Sequence, residues 1–404
     1  MSGMLDYDEA LARLLAGAVP VTATEVVATY AAAGRVLAEG LRSAIDVPPL
    51  DNTSMDGYAL RCADVSTAGA RLAVAQRIPA GSVGHRLAPG TAARIFTGAP
   101  VPAGADAVVM QELCAVEGDS IVVNHVPHEG EWIRRRGEDI AAGAEVLAAG
   151  TRLDAAHVGV AASVGAARLS VFRRLRVALF STGDELAMPG EPLKPGGIYN
   201  SNRYTLRALL EGLGCEVADL GIVPDTREAT RAALREAAAG NDLILTSGGV
   251  SVGEEDHVKP AVEAEGSLNL WKIAIKPGKP LAFGSVRRPG GEGQAAFIGL
   301  PGNPVSSFVT FLMLVRPFIL KCQGASELRP RARGMQADFD FKGDPRREFL
   351  RARINETGGL DLFANQSSGV LTSCTWADGL IDNPPRHAIR SGDMVRFLPF
   401  SELL

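Results

Sequence analysis

Cysteine is scarce in this chain. There are five in 404 residues (Cys62, Cys114, Cys215, Cys322, Cys374), and none forms a C-x-x-C pair. An odd, scattered set provides neither a disulfide framework nor zinc-finger spacing, and it suits a reducing cytoplasm. Long basic runs are also missing: the densest clusters, Arg134 to Arg136 and Arg329 to Arg333, are short, and the net charge is -5. Nucleic acid is therefore not expected as the main partner. No apolar run is read as reaching the ~18 residues that a membrane span needs, and the acidic N-terminal stretch holds no signal-peptide core. Repeats and low-complexity tracts are absent. So are G-x-x-x-x-G-K-[ST] and any G-x-G-x-x-G after a strand, which excludes a P-loop kinase and the dinucleotide fingerprint.

What is present is an ordinary globular composition, 46% hydrophobic and 22% charged. At about 150 residues per domain, this length predicts two to three domains. Leu5 to Leu15 has helical spacing, and Thr24 to Ala33 reads as a second short helix capped by Thr24. From Val47 to about Ile140 the texture is short strands broken by Pro and Gly. An alanine-rich stretch follows, with a helix opening at Leu153-Asp154-Ala155-Ala156, and it is expected to pack back on the N-terminal segment. From Arg176, apolar strands (177–180, 216–220, 243–245, 273–275, 297–300) alternate with helices (203–211, 227–239, 258–264, 305–314). Such alternation means a mostly parallel sheet covered on both faces. After Gln323 short strands return, with Phe349 to Ile354 alternating and Arg396-Phe397-Leu398 near the end. The expected division is 1–46 plus 141–172, helical and discontinuous; 47–140, an inserted β domain; 173–323, α/β; and 324–404, all-β.

In an open α/β sheet the ligand sits beyond the carboxyl ends of the strands. Five loops are expected there: S-T-G-D-E (181–185), V-P-D-T (223–226), S-G-G-V-S-V-G-E-E-D (247–256), K-P-G-K-P (276–280) and L-P-G-N-P (300–304). They would bring Ser181, Gly183, Ser247, Gly248, Gly249, Ser251, Gly253, Pro301, Gly302 and Asn303 to a ligand. Glycine permits positive φ and close backbone approach, and exposed amides suit an anion. Asp184, Glu185, Asp225 and Asp256 beside Lys276 and Lys279 suit a polyanion held with a divalent cation. A tight turn with a solvated acidic helix start is the other reading of the 247–256 loop, and salt bridges among these charges are the other reading of the set.

Seven motifs occur in one order: M-D-G-Y-A (55–59), F-T-G-A (96–99), G-E-D-I (137–140), S-T-G-D-E-L (181–186), S-G-G-V-S-V-G (247–253), K-P-G-K-P (276–280) and P-G-N-P-V-S (301–306). Together they resemble the molybdopterin molybdenumtransferases, the MoeA family, also represented by the E domain of gephyrin. The likeness runs from about residue 5 to the C-terminus. It implies a multidomain α/β protein: a MogA-like doubly wound domain, a discontinuous helical domain, an inserted β domain and a C-terminal β-barrel. It also implies a homodimer whose site lies between the α/β domain of one subunit and the inserted domain of the other. The implied reaction takes adenylylated molybdopterin and molybdate and releases AMP, with Mg2+ at the acids named above. Lys272, Lys276 and Lys279 would absorb developing charge.

By the same resemblance Asp56, Thr97 and Asp139 reach the site from the partner subunit, and Arg351 and Ser368 hold molybdate. From the residues alone, Asp56-Gly57 reads as a hairpin turn, Arg351 as a surface strand residue and Ser368 as a turn serine. The stretch 364–385 matches the family least. A molybdopterin adenylyltransferase and a non-catalytic pterin-binding scaffold are the rival readings. Transient contact with molybdopterin-synthesising and molybdoenzyme-maturation proteins is also expected.

Overall fold

The computed structural model describes residues 4–249, 257–291 and 293–404. Its first helix, Tyr7–Ala16, starts where the Asp6 carboxylate accepts from the Asp8 amide at 2.8 Å. Tyr7, Ala10, Leu11 and Leu14 form its buried face. The helix expected at 24–33 is not there. Thr24–Ala28 is a strand paired antiparallel with Arg168–Phe172, followed by one 3-10 turn. The β-branched pair Val26-Val27 favours extended backbone, and its partner strand lies too far along the chain for local periodicity to reveal. Asp154 does open a helix, Ala155–Ser163, through a reciprocal cap with His157.

Within the segment 57–123, six strands form one sheet in the order Ala107–Met110, Gly57–Leu60, Thr91–Ile95, Ala70–Ile78, Ser120–Val123, Cys114–Glu117. The Asp56-Gly57 pair is not a hairpin turn. Gly57 is itself a strand residue, opposite Ile95 on one side and Met110 on the other. A Cβ there would sit 2.0 Å from the Val109 carbonyl oxygen, which is why only glycine fits.

The second six-stranded sheet positions the site. Its order is Glu216–Val223, Arg176–Thr182, Leu243–Ser247, Gln294–Leu300, Pro280–Arg287, Gly266–Lys272. The first four run parallel; Pro280–Arg287 is antiparallel to both of its neighbours. Val177, Leu179 and Leu245 join one core cluster, while Ala178, Phe180 and Ile244 join another on the opposite face. Burial on both faces explains these continuous apolar runs. Helices begin where expected, with Asn200 and Thr226 accepting from Arg203 and Ala229 amides. The expected strand 273–275 needs correction. Ile275-Lys276 pairs with Arg347-Glu348 of the C-terminal sheet, and the two antiparallel strands flanking it were not foreseen.

One helical stretch, Pro304–Cys322, is 19 residues, long and apolar enough to cross a membrane by length and composition. That overturns the expectation that no segment reaches this length. It is 89% buried inside the protein, where Val309, Leu312, Phe318 and Ile319 join the main core cluster. Beyond it, strands Arg333–Gln336, Arg347–Ile354, Gly379–Asn383 and Met394–Pro399 build the C-terminal sheet.

Candidate active site

The carboxyl ends of the parallel strands open onto a cleft of about 650 Å³. Each of the five loops contributes: Thr182, Gly183 and Glu185; Asp225; Gly248 and Gly249; Lys276 through Pro280; Pro301 through Asn303. The fourth loop reaches this edge because it leads into an antiparallel strand, whose first residues lie beside the carboxyl end of Gln294–Leu300. The facing wall comes from the C-terminal domain, through Arg346, Gln366, Ser367 and Ser368. Two links hold the walls together: the Ile275-Lys276 pairing with Arg347-Glu348, and the Val305 amide donating to the Ser368 carbonyl at 3.0 Å.

Glycine shapes the floor. Gly183 has φ +145°, and a Cβ there would lie 2.5 Å from Glu185 Oε2, so the carboxylate folds back over the bare turn. Gly248 and Gly249 have φ of +87° and +64°, both in the left-handed region that costs other residues strain. Ser181 and Ser247, opposite each other on adjacent strands, lie buried beneath and share a hydroxyl bond of 3.2 Å. Asn202 Nδ2 donates to the Gly302 carbonyl at 2.7 Å and fixes the P-G-N-P turn.

The charged groups divide by partner. Lys276 Nζ is 3.1 Å from Asp344 Oδ2 and 3.1 Å from Glu348 Oε1. Burial opposes its charge, but the bonds to Glu348 and then Asp344 prevail and raise its pKa above the usual lysine value. The Arg346 guanidinium beside Asp344 holds that carboxyl well below the ordinary range, with Lys276 adding to the effect. Lys276 is thus a pin between the α/β and C-terminal domains as well as a cleft residue. Lys279 lines the same cleft and is exposed.

Glu185 and Asp225 are the two carboxylates in the described lining. Asp184 is exposed and not part of it. Ser251, Gly253 and Asp256 lie outside the described residues. Among the described residues no three His, Cys, Asp or Glu side chains gather closely enough to cage a metal. Two hard carboxylates still fit Mg2+, which commonly takes one or two protein carboxylates and completes its shell with water and substrate phosphate.

Arg351 is not in the cleft wall. It is 1% exposed, and its guanidinium bonds to Ser373 Oγ at 3.1 Å and to the Phe349 and Ser367 carbonyls at 3.3 and 3.4 Å. Burial pushes its pKa down to about 10. It is therefore no surface strand residue; it stands behind the turn that presents Ser368. Lys272 ends the outermost strand, exposed and off the lining. Asp56 Oδ1 accepts from the Thr97 amide at 2.8 Å and the Thr97 hydroxyl at 2.7 Å. Those two bonds, the amide first, hold its carboxyl below the ordinary value. Asp139 is exposed, with its amide on the Val47 carbonyl at 3.0 Å. None of these last three lines the cleft within one chain. Sequence reasoning missed Arg346, Gln366 and Thr182. A D-P-R-R run was the sole cue for Arg346, and nothing local marked Gln366.

A rim of parallel-strand ends facing a β-sheet domain, lined by glycine turns, lysines and two carboxylates, has the chemistry of an anion-binding cleft in an α/β protein. Family models agree along the chain: MoeA N-terminal region (domain I and II) at residues 5–165, probable molybdopterin binding domain at 178–321, and MoeA C-terminal region (domain IV) at 335–400. The chain is 40% identical to the molybdopterin molybdenumtransferase of Haemophilus influenzae, covering 99% of this chain and 100% of that one. It is 38% identical to that of a Nostoc species, covering 88% and 84%. The crystal structure of the molybdopterin biosynthesis MoeA protein from Pyrococcus horikoshii OT3 superposes with a TM-score of 0.80 at 30% identity, over 98% of this chain and 100% of that one. The chain belongs to the MoeA family of molybdopterin molybdenumtransferases, transferases of molybdenum cofactor biosynthesis.

Proposed function

We propose that this protein inserts molybdenum during cofactor assembly: adenylylated molybdopterin and molybdate give molybdenum-loaded molybdopterin and AMP. The observation that carries the reading is the convergence of all five polar loops on one cleft, with lysines, an arginine and two carboxylates in its lining. The Gly183 and Gly248-Gly249 turns let backbone approach the phosphoanhydride. Lys279 and Arg346 neutralise its oxygens, and Lys276 adds charge while pinning the wall. An oxygen of molybdate or water attacks the adenylyl phosphorus. As that P–O bond forms, the P–O bond to the bridging oxygen breaks and AMP leaves carrying the attacking oxygen. The pterin phosphate keeps the bridging oxygen, whose growing charge the cleft cations stabilise. Glu185 and Asp225 would hold Mg2+, which when bound neutralises phosphate oxygens. Ser368, on the facing wall, is placed for the molybdate oxyanion, with Arg351 ordering its turn from behind.

In this reading the active form is a homodimer in the cytoplasm, and Asp56, Thr97 and Asp139 complete the cleft of the partner subunit. Contacts with the proteins that make molybdopterin and mature molybdoenzymes are transient. The test is AMP release from adenylylated molybdopterin by the purified protein. Release that requires both molybdate and Mg2+ is expected; release that is indifferent to molybdate would refute the assignment.

A further inference from the structure

Among the described residues, the Thr182 hydroxyl is buried at the cleft without a hydrogen-bond partner. Thr182 is the last residue of its strand and is 4% exposed. It forms part of the cleft lining, and its Oγ1 has no hydrogen-bond partner among the described residues. Its neighbours solve the same problem differently, since Ser181 and Ser247 satisfy each other. A buried hydroxyl left unsatisfied costs stability that valine of the same shape would avoid. Such a cost at a cleft floor is accounted for when a ligand supplies the missing acceptor.

The surroundings indicate which acceptor. Gly248 and Gly249 lie directly above: a Cβ on Gly249 would come 2.8 Å from Thr182 Oγ1, and one on Gly248 would come 2.9 Å from the Thr182 carbonyl. A side chain at Gly249 would press on the hydroxyl itself, and one at Gly248 on the carbonyl of the same residue. Lys279 supplies a cation in the same lining. A neutral donor, bare backbone and an ammonium together match a phosphate oxygen.

We infer that Thr182 donates its hydroxyl to a phosphate oxygen of the nucleotide-bearing substrate, beneath the Gly248-Gly249 turn. The inference rests on the reading of this cleft as the site for an adenylylated pterin. It is tested with Thr182→Val and Thr182→Ser in the full chain, using AMP, adenosine and inorganic pyrophosphate as probes in the presence of Mg2+, and thermal unfolding without ligand. Thr182→Val should weaken AMP and pyrophosphate binding by roughly 10- to 150-fold, the usual worth of a hydrogen bond to a charged acceptor. Its Tm should equal or exceed that of the unchanged protein. Adenosine binding should not move, and Thr182→Ser should restore AMP affinity. Undiminished AMP and pyrophosphate binding by Thr182→Val would overturn the inference, as would an equal loss for adenosine or a lowered Tm, which would mean the hydroxyl already serves the fold. Failure of the unsubstituted protein to bind either phosphate probe would instead overturn the reading of the cleft, and the inference with it.

Discussion

Replacing Lys276 separates the bridge that the structure shows from the role proposed for its charge in the cleft. Its ammonium bridges Asp344 and Glu348 at 3.1 Å each; the Glu348 side chain is 1% exposed and that of Lys276 38%. Lys276→Met strands a buried carboxylate. Breaking a buried pair costs about 3–5 kcal/mol, but the lysine here is partly in water, so roughly 1.5–3 kcal/mol is the expected loss. Glu348→Gln keeps an acceptor for the Asp344 amide, which Glu348 Oε2 binds at 2.8 Å, and should cost less. The double variant Lys276→Met/Glu348→Gln leaves no unmatched charge between those two positions and should recover about 1–2 kcal/mol of the summed losses. The assay is urea unfolding of the four chains at pH 7, read on the transition that includes the C-terminal domain. AMP release is measured alongside and should stay low in the double variant, because the cleft still lacks one cation. A coupling energy below about 0.5 kcal/mol would refute the pin, since independent sites add to within that margin.

Three further outcomes follow from the same structure. Arg346→Gln should raise the KM for the adenylylated substrate by roughly 5- to 30-fold and lower Tm modestly, since Asp344 loses its guanidinium partner and keeps Lys276; an unchanged KM would remove Arg346 from the binding wall. Co-expressed Asp56→Ala and Glu185→Ala chains, each inactive alone, should together recover about a quarter of full turnover if sites form across a two-fold dimer; no recovery would place both residues in one subunit's site or deny the dimer. Glu265, bonded by Arg235 at 2.8 Å and Arg231 at 2.7 Å, has its pKa lowered to about 2 by those arginines, Arg235 foremost, against the opposing effect of burial. A depressed carboxyl stabilises above its unfolded value and loses that contribution as pH falls through its folded one. Glu265→Gln should therefore lower stability by on the order of 1–2 kcal/mol at pH 7, after allowance for solvent on the arginines, and the difference should vanish between about pH 4.5 and 2. A gap that persists at pH 2 would contradict the ion-pair account.

Much of the α/β unit was legible because its central strands are buried on both faces and two of its helices carry side-chain caps. The Leu243-Ile244-Leu245 run and the Asn200 and Thr226 caps are local signals. Thr24–Ala28 misled for the opposite reason: its conformation is set by pairing with Arg168–Phe172, which no window of sequence contains. Lys276 shows the same limit at the site. Its motif announced a cation near phosphate, but its two acidic partners come from residues 344 and 348.

The sequence alone determined that glycine turns and acids follow the parallel strands of one sheet, because strand burial and turn chemistry are written in neighbouring residues. That the K-P-G-K-P lysines join them from the start of an antiparallel strand it did not show. Tertiary structure decided which charges stay available in the cleft and which are spent between domains. It placed Arg346 in the wall and Arg351 behind it, and left the Thr182 hydroxyl without a partner among the described residues, beneath two glycines. Those outcomes depend on contacts between segments far apart in the chain, and such contacts exist only once the sheets have packed.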